Sequence, residues 1–261
     1  MTDATYEIQD LDNCIVFKIT RQKKLNAITA DILAGLTGCV ETLEKEKGGR
    51  GLIVIGEGEK AFCAGTDLFE VQTMSREQSD AKTDRARDLF VRISRAPFIS
   101  IAAINGLAFG GGLELALACV FRISAKHAQF ALPEVKLGLI PAYAGTQFLP
   151  LVVGPSRALD MMVTGRSVSV DEAFQMGLIN RIVEGEKSLL DQAQDYLGSI
   201  TQYSQIAVNA IRDSVSAAGL NVTESGLSAE RDNVIKAGKS EDAKEGVNAF
   251  REKRKAVFKH R

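Results

Sequence analysis

The stretch that decides the fold of this chain reads IAAINGLAFGGGLELALAC over residues 101–119. Its first residues predict a buried strand, its three consecutive glycines predict a tight turn, and its last residues predict an apolar helix. Glycines let a ligand approach the main chain closely, and the first turn of a helix carries unpaired amide hydrogens and partial positive charge. The turn is therefore a candidate site for a negatively charged oxygen.

Glu114 is the only charged residue in this stretch, and two interpretations fit it. In one, the glycines serve close packing of helix on strand, and Glu114 only complements the helix dipole. In the other, Glu114 is a functional carboxylate beside an anion-binding turn. Residues 101–119 alone do not decide between these two interpretations of Glu114.

The composition is that of a globular chain, with 261 residues, 45% apolar residues and a formal net charge of -1. This length predicts one main domain with a smaller appendage. The balanced charge argues against a nucleic-acid partner, and no apolar run is long enough to span a membrane. The first residues lack the apolar core of a signal peptide, so we expect a cytoplasmic protein.

The cysteines and histidines form no metal-binding or redox motif. With only two histidines in the chain, a general acid or base is more plausibly a carboxylate, and a multi-histidine metal site is poorly supported. Four cysteines lie far apart, without Cys-x-x-Cys spacing, and are expected to be reduced core residues: Cys14, Cys39, Cys63 and Cys119.

The first half of the chain alternates short apolar runs with turns and helices. Residues 6–9 and 14–20 predict a hairpin, Thr29 predicts a helix cap, and residues 51–56 predict a strand buried on both faces. A second turn of small residues follows at 60–68 and offers further exposed amides. The polar segment 73–87 is either a mobile loop or an exposed helix that covers a pocket.

The second half contributes another carboxylate and then helices. Glu134 follows Pro133 between apolar runs, where an ordinary loop glutamate is the alternative to a functional one. Residues 169–172 have the form of a capping box. Helical patterns occupy 189–200, 205–217, 220–236 and 240–253, so we divide the chain into a core, 1–198, and a helical region, 199–261.

Seven pieces of this sequence, in this order, resemble the crotonase (enoyl-CoA hydratase/isomerase) superfamily over nearly the whole chain. One such piece is weak evidence, but seven at family-like spacing make chance a poor explanation. They are KLNA at 24–27, AFCAGTDL at 61–68, NG and AFGGGLEL within 105–115, QF and PE within 129–134, GLIP at 138–141, GTQ at 145–147, and EG, AF and EKR within 245–254.

The resemblance implies an α/β fold, a crotonase-like spiral of repeated strand-strand-helix (ββα) turns with a C-terminal helical region that forms homotrimers or hexamers. It implies an acyl-CoA thioester as the ligand and an oxyanion hole made by two backbone amides. These amides belong to Thr66 and Gly111. Because the amides polarise the thioester carbonyl, no metal and no other cofactor is expected.

Hydratases of this superfamily carry two glutamates at the positions of Glu114 and Glu134, so the resemblance favours an enoyl-CoA hydratase. In the implied mechanism, Glu114 takes a proton from water and Glu134 delivers one to the α-carbon. The resemblance also implies substrate contacts, with the last two reaching a neighbouring subunit's CoA: Lys23, Lys24, Leu25, Ala64, Leu68, Ala142, Phe250 and Lys253.

One loop departs from the family pattern. Hydratases usually show P-G-x-G-G-T-Q after the second glutamate, whereas this chain has PAYAGTQ at 141–147. The added methyl groups and the phenol of Tyr143 either narrow or polarise the acyl pocket, or Tyr143 points away from it. Tyr143 is therefore not counted among the catalytic residues.

Other functions stay open on the sequence alone. Within the superfamily, the alternatives are isomerisation of a 3-enoyl-CoA and hydration of a branched, cyclic or carboxylated enoyl-CoA. Outside catalysis, the alternative is a crotonase-fold protein that binds acyl-CoA or RNA without turnover. Two carboxylates in a largely apolar pocket argue against a pure binder, since their desolvation is costly.

Overall fold

The computed structural model describes residues 4–46, 49–218, 228, 232, 234–236 and 238–260, except for the side chains of residues 250 and 251. Its strands, β1 to β10, are Tyr6–Leu11, Cys14–Ile19, Gly51–Gly56, Ala61–Cys63, Ser100–Ile104, Leu107–Phe109, Phe121–Ser124, Gln129–Ala131, Val168–Ser169 and Arg181–Ile182. Its described helices, α1 to α10, are Ala30–Lys45, Leu68–Gln72, Arg76–Arg95, Gly111–Ala118, Gly145–Val153, Pro155–Thr164, Val170–Gln175, Leu189–Thr201, Gln205–Ala218 and Glu241–Glu252.

The strands form two sheets, and the chain passes repeatedly from one to the other. The larger sheet has the order β1-β2-β3-β5-β7-β10, and the smaller has the order β4-β6-β8-β9. From β3 onward, β3, β5 and β7 each add a parallel strand to the larger sheet, and β4, β6 and β8 follow them into the smaller sheet. Helices follow these pairs, which confirms the predicted ββα spiral.

Strand β3 explains why the run at 51–56 is continuously apolar. All six of its residues are buried. One face, with Val54, joins a core that includes Phe90 of α3 and Leu115 of α4, and the other face packs against α8 through Leu197. A strand covered on both faces has no position at which a polar side chain reaches water.

Several predicted elements are confirmed, with shifted bounds. The hairpin is β1 and β2, and Thr29 caps α1 by accepting a hydrogen bond from the Ile32 amide. The polar segment 73–87 lies mostly in the long helix α3, so the helix alternative is right.

The predicted helix 220–236 lies largely outside the described residues, and the division after residue 198 falls within α8 and stays a prediction. None of the described helices is long and apolar enough to cross a bilayer.

The capping box predicted at 169–172 is wrong in one half. Ser169 caps α7 by accepting from the Glu172 amide, but the Glu172 carboxylate pairs with Arg166, 2.7 Å away, instead of returning to the cap. An ion pair with a nearby guanidinium competes with the weaker bond to an amide. The complete capping box lies at the start of α3, between Ser75 and Gln78.

A buried asparagine fixes the crossing from the larger sheet to the smaller one. The side-chain Oδ1 of Asn105 accepts from the Gly56 amide at 3.0 Å, and its side-chain Nδ2 donates to the carbonyls of Gly58 and Ala61. Asn26 is fully buried and donates to the same Ala61 carbonyl at 2.7 Å. The bonds to Gly56 and Ala61 satisfy main-chain groups of buried residues that would otherwise be left unpaired.

Helix α4 approaches the end of β4 so closely that only glycine fits between them. A Cβ atom on Gly112 would lie 2.0 Å from the carbonyl oxygen of Cys63, a backbone atom that cannot rotate away. Gly38, in the exposed middle of α1, has no atom within 4 Å of the corresponding position. The two helical glycines thus differ in how closely neighbouring atoms approach them.

We expect Gly112→Ala to lower the free energy of unfolding by about 3 kcal/mol, since the added methyl forces the two backbones apart. The matched control Gly38→Ala should raise it by about 0.8 kcal/mol, because alanine is the better helix former. Thermal and urea unfolding followed by circular dichroism measure both. A Gly112→Ala protein as stable as the parent contradicts this account of the α4–β4 contact.

Candidate active site

Two glycine turns, one after β4 and one before α4, bring the amides of Thr66 and Gly111 side by side. A Cβ on Gly65 would lie 3.2 Å from the Gly111 nitrogen, and a Cβ on Gly111 would lie 3.6 Å from the Thr66 nitrogen. Gly65 and Gly110 have φ angles of +100° and +54°, which residues with side chains rarely adopt. The glycines therefore serve both the turns and the close approach.

Both amides are available to a ligand. In the part of the chain that the structure describes, neither the Thr66 nor the Gly111 amide donates a backbone hydrogen bond. Gly111 is the first residue of α4, where the helix leaves amides unpaired and carries partial positive charge. Two such donors can hold an oxygen that becomes negative during a reaction.

Glu114 lies in the first turn of α4 with only 1% of its surface exposed. Its Oε1 accepts hydrogen bonds from the amides of Tyr143 at 2.8 Å and Gly145 at 2.7 Å. Burial raises its pKa to about 7; the two amides oppose this rise, and the charge of Glu134 adds to it. A carboxyl with such a pKa can both take and give a proton near neutral pH.

Glu134 opens a short 3-10 helix, Glu134–Leu137, and its carboxyl lies against the glycine turn. Its Oε1 would be 3.0 Å from a Cβ on Gly110, so a side chain at Gly110 would displace it. Among the described residues, its buried Oε2 has no hydrogen-bond partner. Burial also raises the pKa of Glu134. An unpaired carboxyl oxygen in this position is suited to a ligand or a water molecule.

The predicted CoA contacts near the start of the chain come together at one edge of the site. Lys23 and Lys24 are exposed in a 3-10 turn, and the Lys24 ammonium lies 4.8 Å from the centre of the Phe69 ring. The Ala64 amide donates to the Leu25 carbonyl at 2.9 Å. Leu68 is the half-exposed first residue of α2. Cationic and apolar groups thus line the approach to Thr66.

The other predicted contacts are not brought together in this way. Ala142 is exposed, and the loop amides that hold Glu114 belong to Tyr143 and Gly145. Lys253 follows α10 and is exposed, and no hydrogen bond or ion pair of the described residues joins it to the site. The Phe250 side chain lies outside the described residues. Substrate contacts at these positions stay predictions.

Sequence reasoning left the direction of Tyr143 open, and in the structure the side chain points inward. The side chain is 4% exposed, its hydroxyl shares a hydrogen bond with the Thr66 hydroxyl, and its ring meets Phe90 edge-on at 5.6 Å between centroids. Burial raises the pKa of the phenol to about 12. The departure of PAYAGTQ from the family pattern was the available signal, but it did not give the direction of the side chain.

Comparison with known proteins extends the resemblance to the crotonase superfamily over nearly the whole chain. A family model described as enoyl-CoA hydratase/isomerase matches residues 10–261. The crotonyl-CoA hydratase of Syntrophomonas wolfei is 36% identical over 93% of this chain and 93% of its own length. The short-chain-enoyl-CoA hydratase of Clostridium acetobutylicum is 32% identical over 94% of each chain. The crystal structure of an enoyl-CoA hydratase from Bacillus anthracis is 33% identical and superposes with a TM-score of 0.93 over 99% of this chain and 100% of that one.

These matches agree with the seven sequence pieces and with the spiral topology. They cover the glycine turns, both glutamates and the C-terminal helices in one continuous alignment range. The chain therefore belongs to the enoyl-CoA hydratase/isomerase family, within the crotonase superfamily.

Proposed function

We propose that this protein is a hydro-lyase, an enoyl-CoA hydratase that adds water across the 2,3 double bond of a 2-enoyl-CoA thioester to give the 3-hydroxyacyl-CoA. The observation that carries the proposal is that a buried carboxyl, Glu114, and a half-buried one, Glu134, both of raised pKa, lie beside two amides that donate no backbone hydrogen bond among the described residues. The names of the hydratase relatives from Syntrophomonas wolfei and Clostridium acetobutylicum support the same reaction.

In the proposed mechanism, the amides of Thr66 and Gly111 hold the thioester oxygen. Glu114, as carboxylate, takes a proton from water while the water oxygen bonds to the β-carbon, and the electrons of the double bond move to the thioester oxygen. Glu134, as the acid, then gives its proton to the α-carbon as the carbonyl re-forms. The β-carbon thereby gains a hydroxyl group and the α-carbon gains a hydrogen atom. A proton passing from Glu114 to Glu134 then restores the starting protonation states.

The raised pKa values of both glutamates fit a carboxyl pair that shares one proton. Repulsion between two neighbouring carboxylates and their burial both favour a state in which the pair keeps one proton. Two amides stabilise the ionised form of Glu114, the form that the proposed mechanism uses, whereas the Oε2 of Glu134 lacks a partner in the described structure. The amide pair stabilises the enolate by about 3 kcal/mol per donor.

The proposal also covers how the CoA portion of the substrate is bound and how the subunits assemble. Exposed Lys23 and Lys24 are suited to CoA phosphates, and the mechanism calls on no metal or redox cofactor. We also propose a homotrimer or a dimer of trimers, a cytoplasmic location and a role in fatty acid metabolism. Apolar side chains exposed on α9 and α10, Ile211, Val215 and Val247, support burial of this region against other subunits.

The direct test is incubation of the protein with crotonyl-CoA and measurement of the loss of the conjugated-enoyl absorbance. We expect hydration, with 3-hydroxybutyryl-CoA as the product seen by mass spectrometry. A 3-enoyl-CoA tested in parallel reports isomerase activity. Absence of hydration together with conversion of the 3-enoyl-CoA would contradict the proposal and favour the isomerase alternative.

Glu114→Gln and Glu134→Gln are each expected to lower kcat for hydration by about 10²- to 10⁴-fold, since each variant loses one proton-transfer group. Acyl-CoA affinity should change by less than about tenfold, because the amides remain in place. The same substitution at Glu77, exposed on α3, is the control and should leave the rate unchanged. Full turnover in either active-site variant would refute the assigned roles.

We expect kcat/KM for crotonyl-CoA to fall as the pH decreases through about 7, the pKa to which burial raises Glu114. The sign follows from the role of a base: a raised pKa means that Glu114 gains its proton at a higher pH, and the protonated form cannot accept one from water. A pH profile of initial rates measures this limb, with circular dichroism as the control for folding. A flat profile from about pH 5.5 to 8 would contradict it.

A further inference from the structure

The Tyr143 side chain lies against both halves of the proposed oxyanion hole. A Cβ atom on Gly111 would be 2.9 Å from the Cδ2 and Cε2 atoms of the Tyr143 ring, so the ring occupies the space beside Gly111 that a side chain would fill. At the far end of the ring, the Tyr143 hydroxyl is hydrogen-bonded to the Thr66 hydroxyl. The ring thus spans the distance between the two residues whose amides face the ligand.

The ring is also fixed in this place. Phe90 of α3 meets it edge-on, and both rings belong to the main apolar core. On the backbone side, the amides of Tyr143 and Gly145 hold Glu114. A large movement of the ring would break the hydroxyl pair with Thr66 and disturb the loop that holds the base. Tyr143 is therefore a wall of the site and not a mobile gate.

We propose that Tyr143 sets the length of the acyl chain, so that the site takes short, unbranched 2-enoyl groups of about the size of crotonyl and rejects longer ones. The proposal rests on the proposed hydratase function. With the thioester oxygen at the Thr66 and Gly111 amides, the acyl carbons must leave past the ring that fills the space beside Gly111. Each methylene beyond the space available costs on the order of tenfold in kcat/KM.

The polar end of Tyr143 does not change this assignment. Its hydroxyl is hydrogen-bonded to the Thr66 hydroxyl and the side chain is 4% exposed, so little of its polar surface is open to a carboxylated or hydroxylated acyl chain. The remaining surface of the ring is apolar and packs in the core. The restriction is therefore one of volume, and removal of the hydroxyl alone should not relax it.

The test compares kcat/KM for crotonyl-CoA and 2-decenoyl-CoA in the parent and in Tyr143 variants. The parent should prefer crotonyl-CoA by at least about 100-fold. Tyr143→Ala should reduce that ratio by at least about tenfold because it opens the space. Tyr143→Phe, which keeps the ring, should leave the ratio within about threefold of the parent value. The ratio, and not the rate on either substrate, is the readout.

If the alanine variant does not fold, Tyr143→Leu replaces it, because leucine keeps part of the core volume. We expect its ratio of kcat/KM values to lie between those of the parent and of a folded alanine variant. A parent that prefers 2-decenoyl-CoA, or folded Ala and Leu variants with the parent's ratio, would overturn the proposal while leaving hydration established. If the parent hydrates neither substrate, the proposed function itself fails. A ratio shifted equally by Tyr143→Phe would show that the hydroxyl, and not the ring, sets the length.

Discussion

The structure depends on one close contact between backbones, at the place where α4 begins and β4 ends. Gly112 lies against the Cys63 carbonyl with no room for a methyl group, and Gly65 lies against Gly110 and Gly111. This contact brings together turns that are more than forty residues apart in sequence. The amides of Thr66 and Gly111 become neighbours because nothing but hydrogen atoms separates the two chain segments.

The electrostatics of the site follow from the same arrangement. A carboxylate in an apolar interior is costly, and the first turn of a helix together with two further amides offsets part of that cost at Glu114. Burial is still the largest cause of the raised pKa of both Glu114 and Glu134. Two neighbouring carboxyls of raised pKa can share one proton near neutral pH, which suits a reaction that needs both a base and an acid.

The sequence was informative wherever a local rule governs the structure. Apolar runs, caps and glycines predicted β3, the Thr29 cap and the turn at Gly110. Family motifs predicted that Thr66, Gly111, Glu114 and Glu134 share a site. The direction of Tyr143 was not predictable, because it depends on packing against Phe90 of a distant helix. The bonding of Glu172 to Arg166 was missed for the same reason, since competition between partners is decided in three dimensions.

The loop that holds Glu114 does so with main-chain nitrogens, and this has a consequence for the divergence of such enzymes. At position 143 any residue except proline supplies the amide, whereas a Cβ at position 145 would lie 2.8 Å from the Oε1 of Glu114, so glycine is required there. The side chain at position 143 can therefore be exchanged over evolutionary time without removing the amides that hold Glu114. The loop combines main-chain donors that stay in place with one exchangeable side chain, and if Tyr143 sets the acyl preference as proposed, a single codon change at this position can alter it.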